Sequence, residues 1–535
     1  MSLAQHNRRS TALLLLFGVT ACSSVQSRSE TGLPPAQKLS ESERIAHVLS
    51  RLTFGARSGD AERVATIGVN RWIDQQLRPE SIADSAVVVA LAPVSAWNQP
   101  ATRVASLPQP QSAQPFATIP LSIIMKDSLM SARLKEIAAS VAANLAAARG
   151  LNDSFFAGKI IRAQLSERQL LEVVSDFWEN HFSVFNGKMP SREALVVWDR
   201  DVLRPHALGK FRDLLGAVAH SPAMLFYLDN HLSTRRGLNE NYARELLELH
   251  TLGVDGGYTQ HDVIEVARAL TGWTIGPNRD PSVFLFRREL HDTGSKTVLG
   301  HTLAAGRGIE DGEEVLDILA RHPSTAHYIS LKLARRLVSD DPPPALVARA
   351  AATFARTDGD IAQVVRTIVT SSEFFSRAAF RAKVKTPFQL VVSARRALDA
   401  GADTSFATSR LIAQIGQPTF AWPTPEGWPE KGDAWMNSGT LFKRIKFGGD
   451  MAHGGLAAAA LERWRDWTTL STLPLDRQVD GVVKVVLGGY AEPATREVLL
   501  GVRSGGATDR DAADGPKRLR ELLAIALASP DFQRR

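Results

Sequence analysis

Cysteine is nearly missing from this chain: Cys22 is the only thiol among 535 residues. No disulfide can close within it, and zinc or iron–sulfur centres built on cysteine are excluded. Beyond the first 21 residues there is no apolar run long enough to cross a bilayer, which takes about 20 residues of helix. Short catalytic signatures are missing too. There is no G-x-S-x-G, no H-E-x-x-H, no P-loop, and no G-x-G-x-x-G between strand and helix. These absences count against a serine esterase of that type, a zincin protease, an NTPase and a dinucleotide enzyme. Lys and Arg exceed Asp and Glu by 63 to 56, but they are scattered, as at Lys332, Arg335 and Arg336. No basic run interleaved with aromatics exists, so no nucleic-acid partner is indicated. The remaining composition, 44% hydrophobic and 22% charged, is that of a globular protein.

The amino-terminal residues carry an address. Arg8 and Arg9 precede the apolar run Thr11 to Val19, too short to span a membrane and shaped like a secretory signal. It ends in Val19-Thr20-Ala21-Cys22, which resembles the lipobox of bacterial lipoproteins. That resemblance implies cleavage after Ala21 and lipidation of Cys22, with Ser23 in second place favouring the outer membrane. Several acyl chains on one residue anchor firmly where a single chain does not. Removing residues 1–21 takes two arginines and no acid, lowering the net charge from +7 to +5. Residues 22–42, with Pro34 and Pro35, read as a flexible tether to the bacterial envelope.

After the tether, helical periodicity dominates. Ile45, Val48, Leu49 and Leu52 mark a first amphipathic helix, and Val64, Ile67, Trp72 and Ile73 a second over about 60–77. Six prolines punctuate residues 93–120, which read as an exposed insertion, followed by alanine-rich helix to about 149. The blocks 158–275 and 312–400 are again helical. Between them, Phe284–Phe286 and Thr297–Leu299 flank His291-Asp292-Thr293-Gly294 and predict a small β-hairpin. Residues 416–436, with Trp422, Trp428 and Trp435, read as an irregular surface loop. Three more helices are expected beyond 455. The expected fold is mainly α: one large helical body over 43–455 with loop insertions and one hairpin, and a helical extension over 456–535 packed on it.

Two helices hold the unusual residues. In the first, Leu170, Val173, Val174 and Phe177 form an apolar stripe that His181 continues at i+4. In the second, from Leu238 to His250, steps of about 100° place Leu238, Tyr242, Leu246 and Leu249 on one face. Glu240, Arg244, Glu248 and Thr251 fall opposite, towards solvent. Glu245 and His250 sit at the margins of the buried stripe, about 140° apart, where each needs a partner. One reading is structural: Glu245 pairs with Arg162 or Arg204, and the histidines bond backbone carbonyls. The other makes His181, Glu245 and His250 a metal or acid–base site between facing helices, with the metal unspecified. Asp229-Asn230 marks a helix end or site edge, Thr259 and Asp262 a capping box, and His261-Asp262 and His291-Asp292 adjacent His-Asp pairs.

Longer motifs carry a family resemblance. They include Arg204-Pro-His-Ala-Leu-Gly209, Ser221-Pro-Ala-Met-Leu225, Tyr227-Leu-Asp-Asn230, the run Asn239–Gly253, and Ala267–Trp273. His291-Asp292, His322-Pro323 and Lys383-Val-Lys-Thr-Pro387 add to them. Together, over about Ile45 to His453, they resemble the bacterial domain-of-unknown-function family 1800. The resemblance implies an extracytoplasmic protein, often encoded beside a secreted protein of alkaline-phosphatase or sulfatase-like fold. It also places His181, Asn239, Glu245, His250 and Asp292 among the family's motif positions. The function expected is that of an envelope-anchored accessory or binding protein acting with such a partner or with a glycan. Asp229, Asn239, His291, Asp292 and Trp428 are the candidate binding residues. The alternative is a hydrolase using His181, Glu245 and His250. Neither cofactor nor metal is specified by the sequence.

Overall fold

The computed structural model describes residues 38–94, 154–188, 195–276, 280–453, 464–502 and 515–535, with residues 97, 136 and 461. The signal segment, Cys22, most of the tether and nearly all of the Pro-rich insertion lie outside the described residues, as does most of the alanine-rich helix after it. Residues Leu39–Arg535 form one compact unit.

Its helices begin where side chains can close the open end of the backbone. The first, Glu41–Arg51, is capped by Ser40, whose hydroxyl accepts from Glu43 N while Glu43 bonds Ser40 N at 2.8 Å. The tether therefore ends two residues earlier than its sequence limit. Ile45, Val48, Leu49 and Leu52 are all buried. The single helix expected over 60–77 is two, Asp60–Ile67 and Val69–Gln76, divided at Gly68. Thr259 and Asp262 close a reciprocal cap on Gln260–Ala269, as the sequence indicates. Further on, Pro323–Leu337 packs on Pro344–Arg356, which packs on Ile361–Val369. Near the end of the chain Ser438–His453 and Leu475–Val486 both lie against Gly515–Ala528. A local echo is also structural: Ser371 accepts from Phe374 N at 3.1 Å, and Ser529 from Phe532 N at 3.3 Å. Each turn thereby drives its phenylalanine into the core.

Strand structure is slight and differs in pairing from the sequence expectation. Trp273–Gly276 (β1) pairs antiparallel with Asp280–Phe286 (β2), and Lys296–Val298 (β3) with His301–Leu303 (β4). Both expected strands exist, but each pairs with a different neighbour, so there are two hairpins. The reason is local: Leu299 and Gly300 both take positive φ, the two-residue turn that suits a tight hairpin. The segment between β2 and β3 is held by helices instead of pairing with itself. A continuous apolar core runs from Ile45 to Phe532, with Trp178, Trp198, Trp273 and Trp464 among its largest buried side chains.

Candidate functional site

The helix Gln169–His181 organises the chemistry, because its two sides do different things. Its apolar stripe, Leu170, Val173, Val174 and Phe177, is buried as predicted, and Trp178 donates its indole N–H to Ala207 O at 2.9 Å. His181 ends that stripe, 1% exposed. Its Nε2 lies 3.1 Å from the carbonyl of His250, which is fully buried, and the two rings are 6.3 Å apart. A carbonyl only accepts, so Nε2 of His181 is the protonated nitrogen and Nδ1 carries a bare lone pair.

His250 reaches this position through an irregularity. Asn241–Glu245 is α-helical, but Leu246–Thr251 is a π-turn, with Leu252 N bonding Leu247 O at 2.8 Å. The extra residue in the turn rotates everything after it. Thr251, expected on the solvent face, is fully buried with its hydroxyl on Leu246 O at 2.6 Å, while Leu238 is 39% exposed. Phe182, Tyr242 and Phe177 surround the imidazoles. Burial, with the nearby Lys332 ammonium adding to it, pushes His250 down to about 3 and His181 well below the usual histidine range. Both are neutral imidazoles closed off from solvent.

Glu245 does not join them. It is half-buried beside Glu248 and Glu426, and burial together with these carboxylates raises its pKa. The arginines considered as its partners are engaged elsewhere. Arg204 binds Glu172 at 2.7 Å and Asp199 at 3.2 Å, and Arg162 stands 4.0 Å from Glu172.

The other sequence candidates are dispersed. Asp229 pairs with Lys188 at 2.7 Å, and Asn239 accepts from Asn241 N at 2.9 Å at the start of a helix. His291 is fully buried, 3.2 Å from Asp311, which Lys296 and Arg307 also bind at 2.7 and 3.0 Å. Asp292 is forked onto Arg268 at 2.8 and 3.2 Å, and that guanidinium holds its carboxyl down at about 2 against the effect of burial. Asp262 of the His261-Asp262 pair serves as a cap. Among the described residues no three His, Cys, Asp or Glu side chains are grouped to hold a metal ion.

The accessible chemistry lies along the polar edge of the same helix. Asp176, Glu179 and Asn180 line a cavity of about 60 Å³ together with Lys159, Arg336, Lys383, Trp428 and others. By that measure a water takes roughly 10–15 Å³, so there is room for a few waters or one small polar group. Lys159 bridges the two carboxylates, 3.1 Å from Asp176 and in contact with Glu179, and Arg336 binds Asp176 at 2.5 Å. Burial opposes ionisation of Asp176, but Lys159 and Arg336 outweigh it and hold the carboxyl below its usual range. At Glu179 burial dominates over Lys159, with Asp199 and Asp176 adding repulsion, and the carboxyl is held well above it. The pKa values of two acids three residues apart are thus moved in opposite directions.

The Trp-rich loop forms the edge of this cleft. Asn180 grips its backbone twice, donating to Trp428 O at 2.9 Å and accepting from Trp428 N at 2.7 Å. Gly427, at φ 75°, makes the approach possible, since a Cβ there would collide with the Asn180 carbonyl. Trp435 is buried and pins the loop by donating to Pro429 O at 2.9 Å. Trp428 lies between Trp422 and Trp435, its ring 4.7 and 5.7 Å from theirs and tilted by 53° and 40°, and remains partly exposed in the cleft. Of the candidate site residues named from sequence, Trp428 alone lines it, beside Lys383, Val384 and Thr386 of the Lys383–Pro387 motif. Asp176 and Glu179 escape sequence reasoning because they resemble ordinary solvent-face carboxylates; their one signal is that they flank the buried stripe.

Fold and site together define a large helical protein with an ion-lined cleft roofed by a tryptophan loop. The chain belongs to the family described as "Protein of unknown function (DUF1800)", whose model matches residues 47–534. The match takes in the C-terminal helices that the sequence reading sets apart as an extension. No curated protein and no solved structure matches the chain.

Proposed function

We propose that this is a lipid-anchored protein of the bacterial envelope, a glycan-holding accessory to a secreted, sulfatase-like partner. The observation that carries the reading is Trp428, fixed from behind by Asn180 at the edge of a cleft lined with Lys159, Asp176, Glu179, Arg336 and Lys383. An aromatic face at the mouth of a pocket with room for one small polar group suits a sugar ring stacked outside it with a single hydroxyl reaching the polar lining. The anchor is Cys22 and the address the outer membrane; both rest on the lipobox resemblance. Titration of the protein with fragments of envelope polysaccharide tests the cleft. Trp428→Ala should weaken binding at least tenfold with unchanged thermal stability, and equal binding by the variant would remove the reading. For the anchor, Cys22→Ser should move the protein from the membrane to the soluble fraction.

A second reading, a hydrolase, is favoured by the opposed pKa shifts of the two acids on one helix. Environments that split two carboxyls in this way separate an acid from a base. Glu179 then donates the proton to the leaving group. The burial of His181 and His250 moves this role away from the histidines. Glu179→Gln should bind the polysaccharide normally and release no new reducing ends, whereas the wild-type protein releases them.

A further inference from the structure

A second cavity, of about 40 Å³, has mainly apolar walls, with Ala46, Leu49, Ala397 and Phe532 among them, and contains Lys385 and Ser393. It is bordered by exposed Arg534 and by partly exposed Ser50, Arg381 and Gly488. Lys385 Nζ and Ser393 Oγ lie 2.7 Å apart. Both are held firmly. Lys385 donates its backbone N–H to Gln533 O at 2.9 Å, and its carbonyl accepts from Arg444 at 2.6 Å. Ser393 stands in the helix Pro387–Ala397, whose start is closed by a capping box between Thr386 and Gln389. Gly55 backs onto the serine, and a side chain there would occupy the space over Oγ.

The electrostatics are unusual for a buried lysine. Among the described residues no carboxylate forms an ion pair with Lys385, and the charged groups facing it are Arg381, Arg444 and Arg535. Arg381 is itself matched by Asp531, the one acid lining the cavity. Burial, reinforced by the three guanidinium groups, pushes the Lys385 ammonium well below the lysine range. The cavity holds a lysine whose burial favours the free amine, set against a serine hydroxyl, the pairing by which an amine base activates a serine nucleophile.

We propose that Ser393 and Lys385 form a nucleophile–base dyad that cleaves a short acyl ester, an acetyl ester being of the size this apolar cavity takes. Lys385 receives the hydroxyl proton as Ser393 Oγ bonds to the carbonyl carbon. The bond to the alcohol oxygen breaks, and that oxygen leaves with the proton from Lys385. Water then adds to the acyl carbon, passing a proton to Lys385. The Oγ–acyl bond breaks, the proton returns to Ser393, and the carboxylic acid departs. This site is separate from the Trp428 cleft and does not depend on what that cleft binds.

The test uses the whole protein with an alkyl fluorophosphonate, located by peptide mass, and with 4-nitrophenyl acetate as substrate. The expected result is an adduct on Ser393 that is lost in Ser393→Ala and in Lys385→Met. Turnover should fall at least 100-fold in Ser393→Ala, with the melting temperature of that variant unchanged. Labelling should reach its plateau below the ordinary lysine range, because burial favours the free amine. The absence of an adduct on Ser393, equal turnover by Ser393→Ala, or labelling that requires pH above about 10.4, the ordinary lysine value, would each overturn the proposal.

Discussion

Two neighbouring imidazoles in an apolar core take up no proton at neutral pH, and this sets how the fold responds to acid. His250 titrates near 3 in the folded chain and near 6.5 when unfolded. Between those values the unfolded state binds more protons, so stability is complete above about 6.5 and falls as pH drops towards 3. His181 acts in the same direction. At pH 4 the loss from His250 alone is about 3 kcal/mol, at 1.36 kcal/mol per pKa unit. His250→Phe, which fits beside Phe182 and Tyr242, should narrow the gap between the unfolding free energies measured in urea at pH 7 and pH 4 by about that amount. An unchanged gap would show that His250 is already charged in the fold. Asp292 acts over a lower range: its depressed carboxyl stabilises the fold above about 3.9 and loses that contribution as pH falls through about 2.

At the scale of elements, the grip of Asn180 on Trp428 decides whether the cleft has an edge. Gly427→Ala forces a side chain into the Asn180 carbonyl at a left-handed backbone position, costing about 1–3 kcal/mol. Limited proteolysis should then cut within 416–436 sooner than in the wild type; equal cutting rates would mean the clamp does not hold the loop. Elements also show how far the sequence can be read. The stripe of the 169–181 helix and the cap at Thr259 depend on neighbours within four residues and are legible, whereas the equally local cap at Ser40 is passed over when the tether is carried to residue 42. The π-turn at Leu246–Thr251 is not, because an extra residue in a helix leaves no mark in composition. Even periodicity carried through it placed Thr251 in solvent and His250 at a margin. The cleft is less legible still: Lys159, Glu179, Arg336, Lys383 and Trp428 share no local pattern, and only the fold brings them together.

At the scale of the whole molecule, early and late segments are tied directly together. Glu43 binds Arg377 at 2.6 Å, and Arg396 bonds Gly55 O at 2.5 Å. Arg535 and Lys383 exchange backbone bonds at 2.8 and 3.2 Å, while Asp531 pairs with Arg381. Phe532 is buried, and truncating such a side chain costs about 3–5 kcal/mol by itself. Deleting residues 530–535 should therefore lower the stability of the entire unit by at least that much. It should do so in one cooperative transition seen equally by tryptophan fluorescence and far-UV circular dichroism. Two separated transitions would show that the C-terminal helices fold on their own.

The ties between residues 43–55 and 377–396 also set a timetable for the growing chain. The bonds that tie its first helices to the later chain cannot close until 334 to 341 further residues have emerged. Contacts so distant in sequence close slowly. A polypeptide leaving the ribosome amino end first thus lacks these closing ties for most of its synthesis.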